Sequence, residues 1–289
     1  MGILKKKYLV AFMFLLPSLI GLTIFVLYPI VSSFVMSFTN WDGLSPMAFK
    51  GLDNYIQLWS DETFRISLLN NFYYTGVSVP LTIIFSILLA VMMNVKINGI
   101  GFFRVLYFLP NVTAAIAVGV IWSSMFTREG PVNQLMTFIV EDPPNWLGSS
   151  LWAMPAIIIV SVWKGVGYFA IILLAGLQGI PHHLYEAATI DGANRWKQFI
   201  HVTIPVLSPV IFFCTIMAMI SSFQVFDTIV AMTEGGPGRS TNVLVYHIYN
   251  TAFMDFEFGY ASAMSYILFI IILIVTIIQF RSQKRWVHF

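Results

Sequence analysis

The spacing of its charged residues constrains this chain more than any other feature. Five stretches contain no Asp, Glu, Lys or Arg, and they lie between Lys7 and Asp42, Arg65 and Lys96, Arg104 and Arg128, Lys197 and Asp227, and Glu257 and Arg281. A sixth stretch, from Asp142 to Glu186, is interrupted by Lys164 alone. An α-helix needs about 20 apolar residues to cross the hydrocarbon core of a bilayer, and every stretch reaches that length. The spacing therefore predicts six membrane-spanning helices.

These helices define an all-α membrane protein with a single transmembrane domain over 1–289. We place the spans near 9–35, 70–94, 104–126, 151–176, 206–229 and 260–280. The composition agrees, because 58% of the residues are hydrophobic and 10% are charged, whereas about a quarter are charged in soluble domains. The first span is longer than the apolar region of about 7–15 residues in a cleaved signal peptide, so we expect it to remain as a helix.

The distribution of Lys and Arg predicts how these spans are oriented. With the N-terminus inside, ten fall on the cytoplasmic side, namely Lys5, Lys6, Lys7, Lys96, Arg104, Arg195, Lys197, Arg281, Lys284 and Arg285. Four fall outside, namely Lys50, Arg65, Arg128 and Arg239. Cytoplasmic loops carry the excess of positive residues in membrane proteins. Both termini are therefore predicted to be cytoplasmic, as is the segment between the fourth and fifth spans.

That segment, residues 181–205, is polar and amphipathic. Pro181 is suited to the beginning of a short helix, since a first-turn N–H has no partner within the helix in any case. Gly192 is expected to end this helix, and Asn194 to cap a second one. Pro205 marks the start of the fifth span, because the residue before a proline prefers extended backbone. The sequence therefore predicts a pair of short helices.

From Glu186 to Pro205 the segment reads EAATIDGANRWKQFIHVTIP, and it resembles the EAA loop in membrane subunits of ATP-binding-cassette importers. The matching residues are Glu186, Ala187, Ala188, Asp191, Gly192, Ala193, Phe199, Val202 and Pro205. In that family the loop forms coupling helices that dock into a cleft on a cytoplasmic ATPase subunit. The resemblance therefore implies that Glu186, Ala187, Ala188, Asp191, Gly192 and Ala193 dock the ATPase. The alternative is a generic amphipathic connector on the membrane surface.

A second element, Thr233-Glu234-Gly235-Gly236-Pro237 followed by Thr241, resembles the Gly-Gly-Pro element of permeases for sugars and related solutes. The resemblance implies a permease subunit of a bacterial plasma-membrane importer that carries a sugar or oligosaccharide by alternating access. Import of a polyol, glycerol phosphate or peptide by the same architecture stays open. So do two other classes of protein, an ion-coupled secondary transporter and a structural membrane scaffold.

The same resemblance implies a set of partners. These are a second, similar permease subunit, two cytoplasmic ATPase subunits, an extracellular solute-binding protein, membrane lipid and the sugar itself, with no nucleic acid. The chain has no Gly-Lys-Ser or Gly-Lys-Thr phosphate loop, so ATP and Mg²⁺ are expected on the ATPase subunits. No catalytic residue, cofactor or metal site is predicted in this chain. Its histidines, at 182, 183, 201, 247 and 288, lack the spacing of metal ligands.

Candidate solute-binding residues flank the loop. In the fourth span Ser161, Lys164 and Tyr168 share one helix face, with Gly165 beside them. After the loop follow Ser222, Gln224 and Asp227. A cation in mid-bilayer costs at least ~2.5–3.5 kcal/mol, so Lys164 is expected to face protein or water. Relatives of the maltose type line their cavity with the helices flanking this loop, which implies the same here.

The alternative for these residues is a structural role. Lys164 is then expected to pair with Asp227 or Glu257 and hold helices together. Ser222 is then expected to bond the backbone of a neighbouring helix.

Overall fold

In a computed structural model, residues 2–95 and 98–284 are described, and they form helices joined by turns, with one isolated bridge between Thr39 and Phe49. The α-helices are α1 (Gly2–Leu22), α2 (Tyr28–Met36), α3 (Asp53–Ser60), α4 (Glu62–Met93), α5 (Ile100–Val112), α6 (Ala115–Met125), α7 (Pro131–Met136), α8 (Ala153–Gln178), α9 (His182–Ile190), α10 (Arg195–Gln198), α11 (Ile204–Phe223), α12 (Asp227–Met232), α13 (Leu244–Phe253) and α14 (Phe258–Gln283). No β-strand occurs in these described ranges. The prediction of an all-α fold is confirmed.

Within the described ranges, five helical segments are long and apolar enough to cross a membrane. They are Val10–Met36, Glu62–Met93, Ala153–Gln178, Arg195–Phe223 and Phe258–Gln283. Each overlaps one predicted span, but three ends differ clearly from the prediction. The helix of the fifth span begins at Arg195 instead of 206, because Ile204 before Pro205 keeps helical backbone, with φ of −62° and ψ of −47°. The helix of the second span begins at Glu62 instead of 70, because helix geometry continues past the apolar stretch. The helix of the fifth span ends at Phe223 instead of 229, because the chain turns at Gln224 before α12.

The third predicted span, 104–126, is broken. Helices α5 and α6 meet at an angle of 96°, because Thr113 and Ala114 leave the helical region with ψ of 139° and 128°. The Thr113 hydroxyl donates to the Leu109 carbonyl at 2.9 Å and so satisfies one acceptor at the end of α5. Charge spacing measures the length of an apolar stretch, and it carries no information about such a bend.

Two π-helical segments, Thr23–Leu27 and Phe199–Thr203, interrupt the helices of the first and fifth spans. Each is centred four residues before a proline, Pro29 or Pro205. A proline ring inside a helix clashes with the carbonyl four residues earlier, and a wider turn at that point relieves the clash. The residue before each proline accordingly donates its N–H five residues back, for example from Ile204 to Phe199.

The described chain divides into two compact units. The first runs as far as Asp61 and includes Ile248–Ile267. In this unit Asn54 is 2% exposed and donates from Nδ2 to the carbonyls of Ser37 and Thr39, at 2.9 and 2.8 Å. The 18-residue apolar window within Val10–Met36 has no residue buried within the described chain.

The second unit comprises Glu62–His247 and the chain from Leu268 onward. Helix α8 is central to it, because α4, α5 and α11 all pack against α8. Gly167 permits the closest approach, since a Cβ atom there would lie 1.8 Å from the Tyr107 carbonyl oxygen of α5. Small residues allow this kind of backbone contact between membrane helices. That the whole chain forms a single domain stays a prediction.

Candidate functional site

A cavity of about 500 Å³ lies within the second unit, among α4, α5, α6, α8, α11 and α12. Polar groups line much of it, namely Tyr74, Asn111, Ser161, Lys164, Tyr168, Ser221, Gln224, Asp227 and Thr228. Six of the seven predicted solute-binding residues border this cavity, namely Ser161, Lys164, Gly165, Tyr168, Gln224 and Asp227. The structure therefore brings together two groups that lie more than fifty positions apart in sequence.

Helix α8 supplies one wall of the cavity. Ser161, Lys164 and Tyr168 follow each other at intervals of three and four residues, so a straight helix presents them on one face. Gly165 lies toward α4, because a Cβ atom there would meet Thr82 Cγ2 at 3.4 Å. Tyr168 is 36% exposed, and its ring offers an apolar surface next to the polar groups.

The opposite wall comes from the turn that follows α11. The Gln224 N–H donates to the Ser221 carbonyl at 3.2 Å, which closes the helix and turns the chain. Asp227 then begins α12. This turn places an amide, a carboxylate and the Thr228 hydroxyl on the edge of the same cavity.

Lys164 and Asp227 are the charged residues of the lining, one cation and one anion. Within the described ranges they do not form an ion pair, for which N and O must lie within 4.0 Å. The predicted alternative of a Lys164–Asp227 pair is therefore not present in this structure. An ammonium group only donates hydrogen bonds and a carboxylate only accepts them, so the two offer complementary contacts to a ligand that carries hydroxyl groups.

Ser222 does not border the 500 Å³ cavity. It is buried, and its hydroxyl oxygen lies within hydrogen-bonding distance of the Met219 carbonyl, at 2.8 Å, and of Thr75 Oγ1 on α4, at 3.1 Å. It borders a smaller cavity of about 140 Å³, which also touches Ser161 and Gly165. The contact with α4 is of the kind expected for the structural alternative, although its partner is a side chain.

Two polar residues of the lining come from helices in which the sequence predicts no solute-binding residue. Tyr74 comes from α4 and Asn111 from α5. Asn111 can be recognised as a candidate from the sequence, because an amide inside an apolar stretch needs hydrogen-bond partners. Tyr74 carries no such signal, since tyrosine is common at the ends of membrane helices, where its ring lies at the level of the lipid headgroups.

The segment 181–205 forms two helices, α9 and α10, separated by a turn. Pro181 precedes α9 directly, and Gly192 in the turn has φ of +76°, a conformation that favours glycine. Asn194 Oδ1 accepts the Lys197 N–H at 2.9 Å and so caps α10. The prediction of two short helices with a glycine break and an asparagine cap is confirmed.

The residues predicted to dock an ATPase lie on α9 and in the turn after it. The Glu186 side chain is 67% exposed, and its Oε1 contacts His182 Nδ1 at 3.1 Å. Two large apolar side chains beside them are also exposed, Ile190 at 86% and Trp196 at 67%. Exposed apolar groups next to small and acidic residues are typical of a protein interface.

Metal ligands do not cluster in the described part of the chain. No group of three or more His, Cys, Asp or Glu side chains there is arranged to hold a metal ion. His288, together with Lys96 and Arg285 of the orientation argument, lies outside the described residues.

Comparison with known proteins identifies the family. Residues 63–288 match the binding-protein-dependent transport system inner membrane component family, and the chain belongs to it. The resemblance that the segment 181–205 suggested is confirmed. The protein is a multi-pass component of the inner membrane, and its family is one of transport components.

Individual relatives cover nearly the whole chain. The lactose transport system permease protein LacF of Rhizobium radiobacter is 38% identical, over 98% of this chain and 97% of its own length. The multiple sugar-binding transport system permease protein MsmF of Streptococcus mutans is 36% identical, over 94% of each.

Among solved structures, a bacterial ABC transporter involved in the import of the acidic polysaccharide alginate has a chain of the same fold. Its TM-score is 0.84 at 24% identity, over 98% of both chains.

Proposed function

We propose that this chain is a permease subunit of an ATP-binding-cassette importer and that it translocates a sugar or oligosaccharide. The observation that carries the proposal is the 500 Å³ cavity, which joins hydroxyl, amide and charged groups from α8 and from the turn after α11. The names of the relatives support it, because two of them describe permeases of lactose and multiple-sugar transport systems.

The chemistry of the lining suits a solute rich in hydroxyl groups. Lys164 and the Gln224 amide donate, Asp227 accepts, and the serine hydroxyls do both. Tyr168 provides a ring face on which a sugar ring packs. The lining carries one charge of each sign, which favours an uncharged solute over a polyanion.

Translocation by alternating access is driven from the segment 181–205. In this proposal both termini and this segment face the cytoplasm, where Glu186, Ala187, Ala188, Asp191, Gly192 and Ala193 contact an ATPase subunit. The ATPase subunits bind ATP and Mg²⁺ and perform the hydrolysis, so the permease itself is not catalytic. The exposure of Glu186, Ile190 and Trp196 supports a docking role.

The complete importer contains further proteins. A second permease subunit completes the pathway, two ATPase subunits bind from the cytoplasm, and an extracellular solute-binding protein delivers the sugar. The support for the last of these is the family itself, whose transport is binding-protein-dependent.

The decisive experiment measures uptake by the complete complex in proteoliposomes. We expect Glu186→Lys to abolish ATP-driven uptake and the copurification of the ATPase subunits, because the reversed charge enters the docking surface. The matched control is Glu141→Lys, the same exchange on an exposed residue of the segment before α8, and we expect it to keep uptake. Normal uptake by a stably assembled Glu186→Lys complex would exclude the docking role, and wild-type uptake without nucleotide would exclude the class of transporter.

A further inference from the structure

Two side-chain hydrogen bonds join α9 to the helical segment that leads into α11, one to α10 and one to the π segment. The Tyr185 hydroxyl and Thr203 Oγ1 lie 3.0 Å apart, and Gln198 Nε2 donates to Thr189 Oγ1 at 2.9 Å. Tyr185 and Thr189 are four residues apart on α9, and thus on one face of it. Gln198 ends α10, and Thr203 ends the π segment directly before α11.

The Tyr185–Thr203 bond lies on the inner side of the loop, whereas the Gln198–Thr189 bond is exposed. Thr203 is 6% exposed and Tyr185 is half-buried, whereas the side chain of the neighbouring Glu186 is 67% exposed. Helix α9 therefore has two faces with different surroundings. One face is open to a partner, and the other is bonded to the start of a membrane helix.

The covalent path between the same two helices turns once, between α9 and α10, and is helical from Arg195 onward. It passes through Gly192, which lacks a side chain and has open space around it. It continues through α10, which has four residues, and through the π segment. π turns are less regular than α-helix and occur often at functional sites. The Tyr185–Thr203 bond bridges this whole path, from the docking helix to the base of α11.

We propose that Tyr185, Thr189, Gln198 and Thr203 are positioning residues that make α9 and α11 move as one body during transport. This inference rests on the proposed function. A displacement of α9 by the ATPase subunits then reaches the far end of α11, about 30 Å away at 1.5 Å per residue. That end carries the turn with Gln224 and Asp227, at the cavity. Without the two bonds, only the turn at Gly192 connects α9 to the helix of the fifth span, and hydrolysis is no longer converted fully into transport.

The test measures the number of solute molecules taken up per ATP hydrolysed by the reconstituted complete complex. Lactose, the sugar in the name of one relative, serves as the probe. Tyr185→Phe removes one hydroxyl, and Thr203→Val removes the other without a change of shape. We expect each to lower this ratio about three- to tenfold. Thr203→Ser keeps the hydroxyl, and we expect it to stay within twofold of the wild type.

Three further variants extend the test. The double variant Tyr185→Phe, Thr203→Val is expected to be no worse than either single one, because all three lose the same bond. For the second bond, Thr189→Val is expected to lower the ratio and Thr189→Ser to preserve it. Tyr185→Phe tests the first bond from the opposite side should Thr203→Val not assemble.

A merely structural role predicts a different outcome. Fewer assembled complexes would reduce uptake and hydrolysis together and leave their ratio unchanged, and this result would overturn the inference. Additive losses in the double variant would overturn it as well. A wild-type complex without ATP-driven uptake of any sugar would instead overturn the proposed function, and the inference with it.

Discussion

Replacing Lys164 by methionine separates a role in solute binding from a structural role. Methionine keeps most of the apolar stem but removes the charge and its three donors. In the structure Lys164 borders the 500 Å³ cavity, and within residues 2–95 and 98–284 it forms no ion pair within 4.0 Å. The side chain therefore faces the space that we assign to the solute.

The expected effect of Lys164→Met on stability has a different sign for each of the two roles. A cation in mid-bilayer costs at least ~2.5–3.5 kcal/mol on insertion scales, so removal of an unpaired one is not expected to destabilise the protein. If Lys164 were part of a buried ion pair, its loss would cost about 3–5 kcal/mol. A hydrogen bond from a charged donor to a sugar hydroxyl contributes about 1.5–3 kcal/mol. Its loss corresponds to roughly a 10- to 150-fold weaker affinity.

Two measurements on the same preparation decide between the roles. We expect Lys164→Met to unfold at or above the wild-type temperature in detergent, and to need at least tenfold more solute for half-maximal uptake in proteoliposomes. Asp227→Asn is the companion variant, because it removes the other charge of the lining and leaves an amide of similar size. A lower unfolding temperature together with normal uptake would refute the assignment of Lys164 to the solute pathway.

Two further changes test the packing around the cavity. Asn71 is fully buried. Its side-chain oxygen accepts the Leu244 N–H at 3.1 Å, and its amide donates to the last carbonyl of α11 at 3.3 Å. Asn71→Ala leaves both backbone groups without this partner, so we expect it to lower the free energy of unfolding by about 2–4 kcal/mol. A thermal unfolding curve like that of the wild type would contradict this. Gly167→Ala places a methyl group 1.8 Å from the Tyr107 carbonyl oxygen, so we expect a much lower yield of assembled protein by size-exclusion chromatography. Gly101→Ala, in open space, is the control, and equal yields would contradict the close approach of α5 and α8.

The sequence predicts the spans well because the physical cause is local. A charge inside the hydrocarbon region is so costly that apolar stretches must separate the charged residues, and this spacing is visible without any structure. The same is true of the segment 181–205. Gly192 and Asn194 act on their own backbone, one by its positive φ and the other by accepting the Lys197 N–H. Such features depend on neighbours in sequence, so the chain alone reveals them.

The bend between α5 and α6 has a different origin. Nothing in the residues 113 and 114 excludes a helix, and Pro110 is accommodated within α5. The bend places α6 against α12, so it depends on a helix more than a hundred residues away. Apolar length and charge spacing contain no trace of that contact. The orientation of Asn111 into the cavity depends on the same long-range arrangement.

Helical periodicity predicts that Ser222 does not lie on the solute-binding face, once one residue of that face is known. Successive residues of an α-helix are turned by about 100°, so Ser221 and Gln224 lie on nearly the same face and Ser222 points elsewhere. A solute-binding face that contains Gln224 therefore favours Ser221 over Ser222. The structure agrees, because Ser221 and Gln224 border the larger cavity and Ser222 bonds to Thr75. The choice between adjacent polar residues thus follows from the angle between them, provided that one member of the face is known.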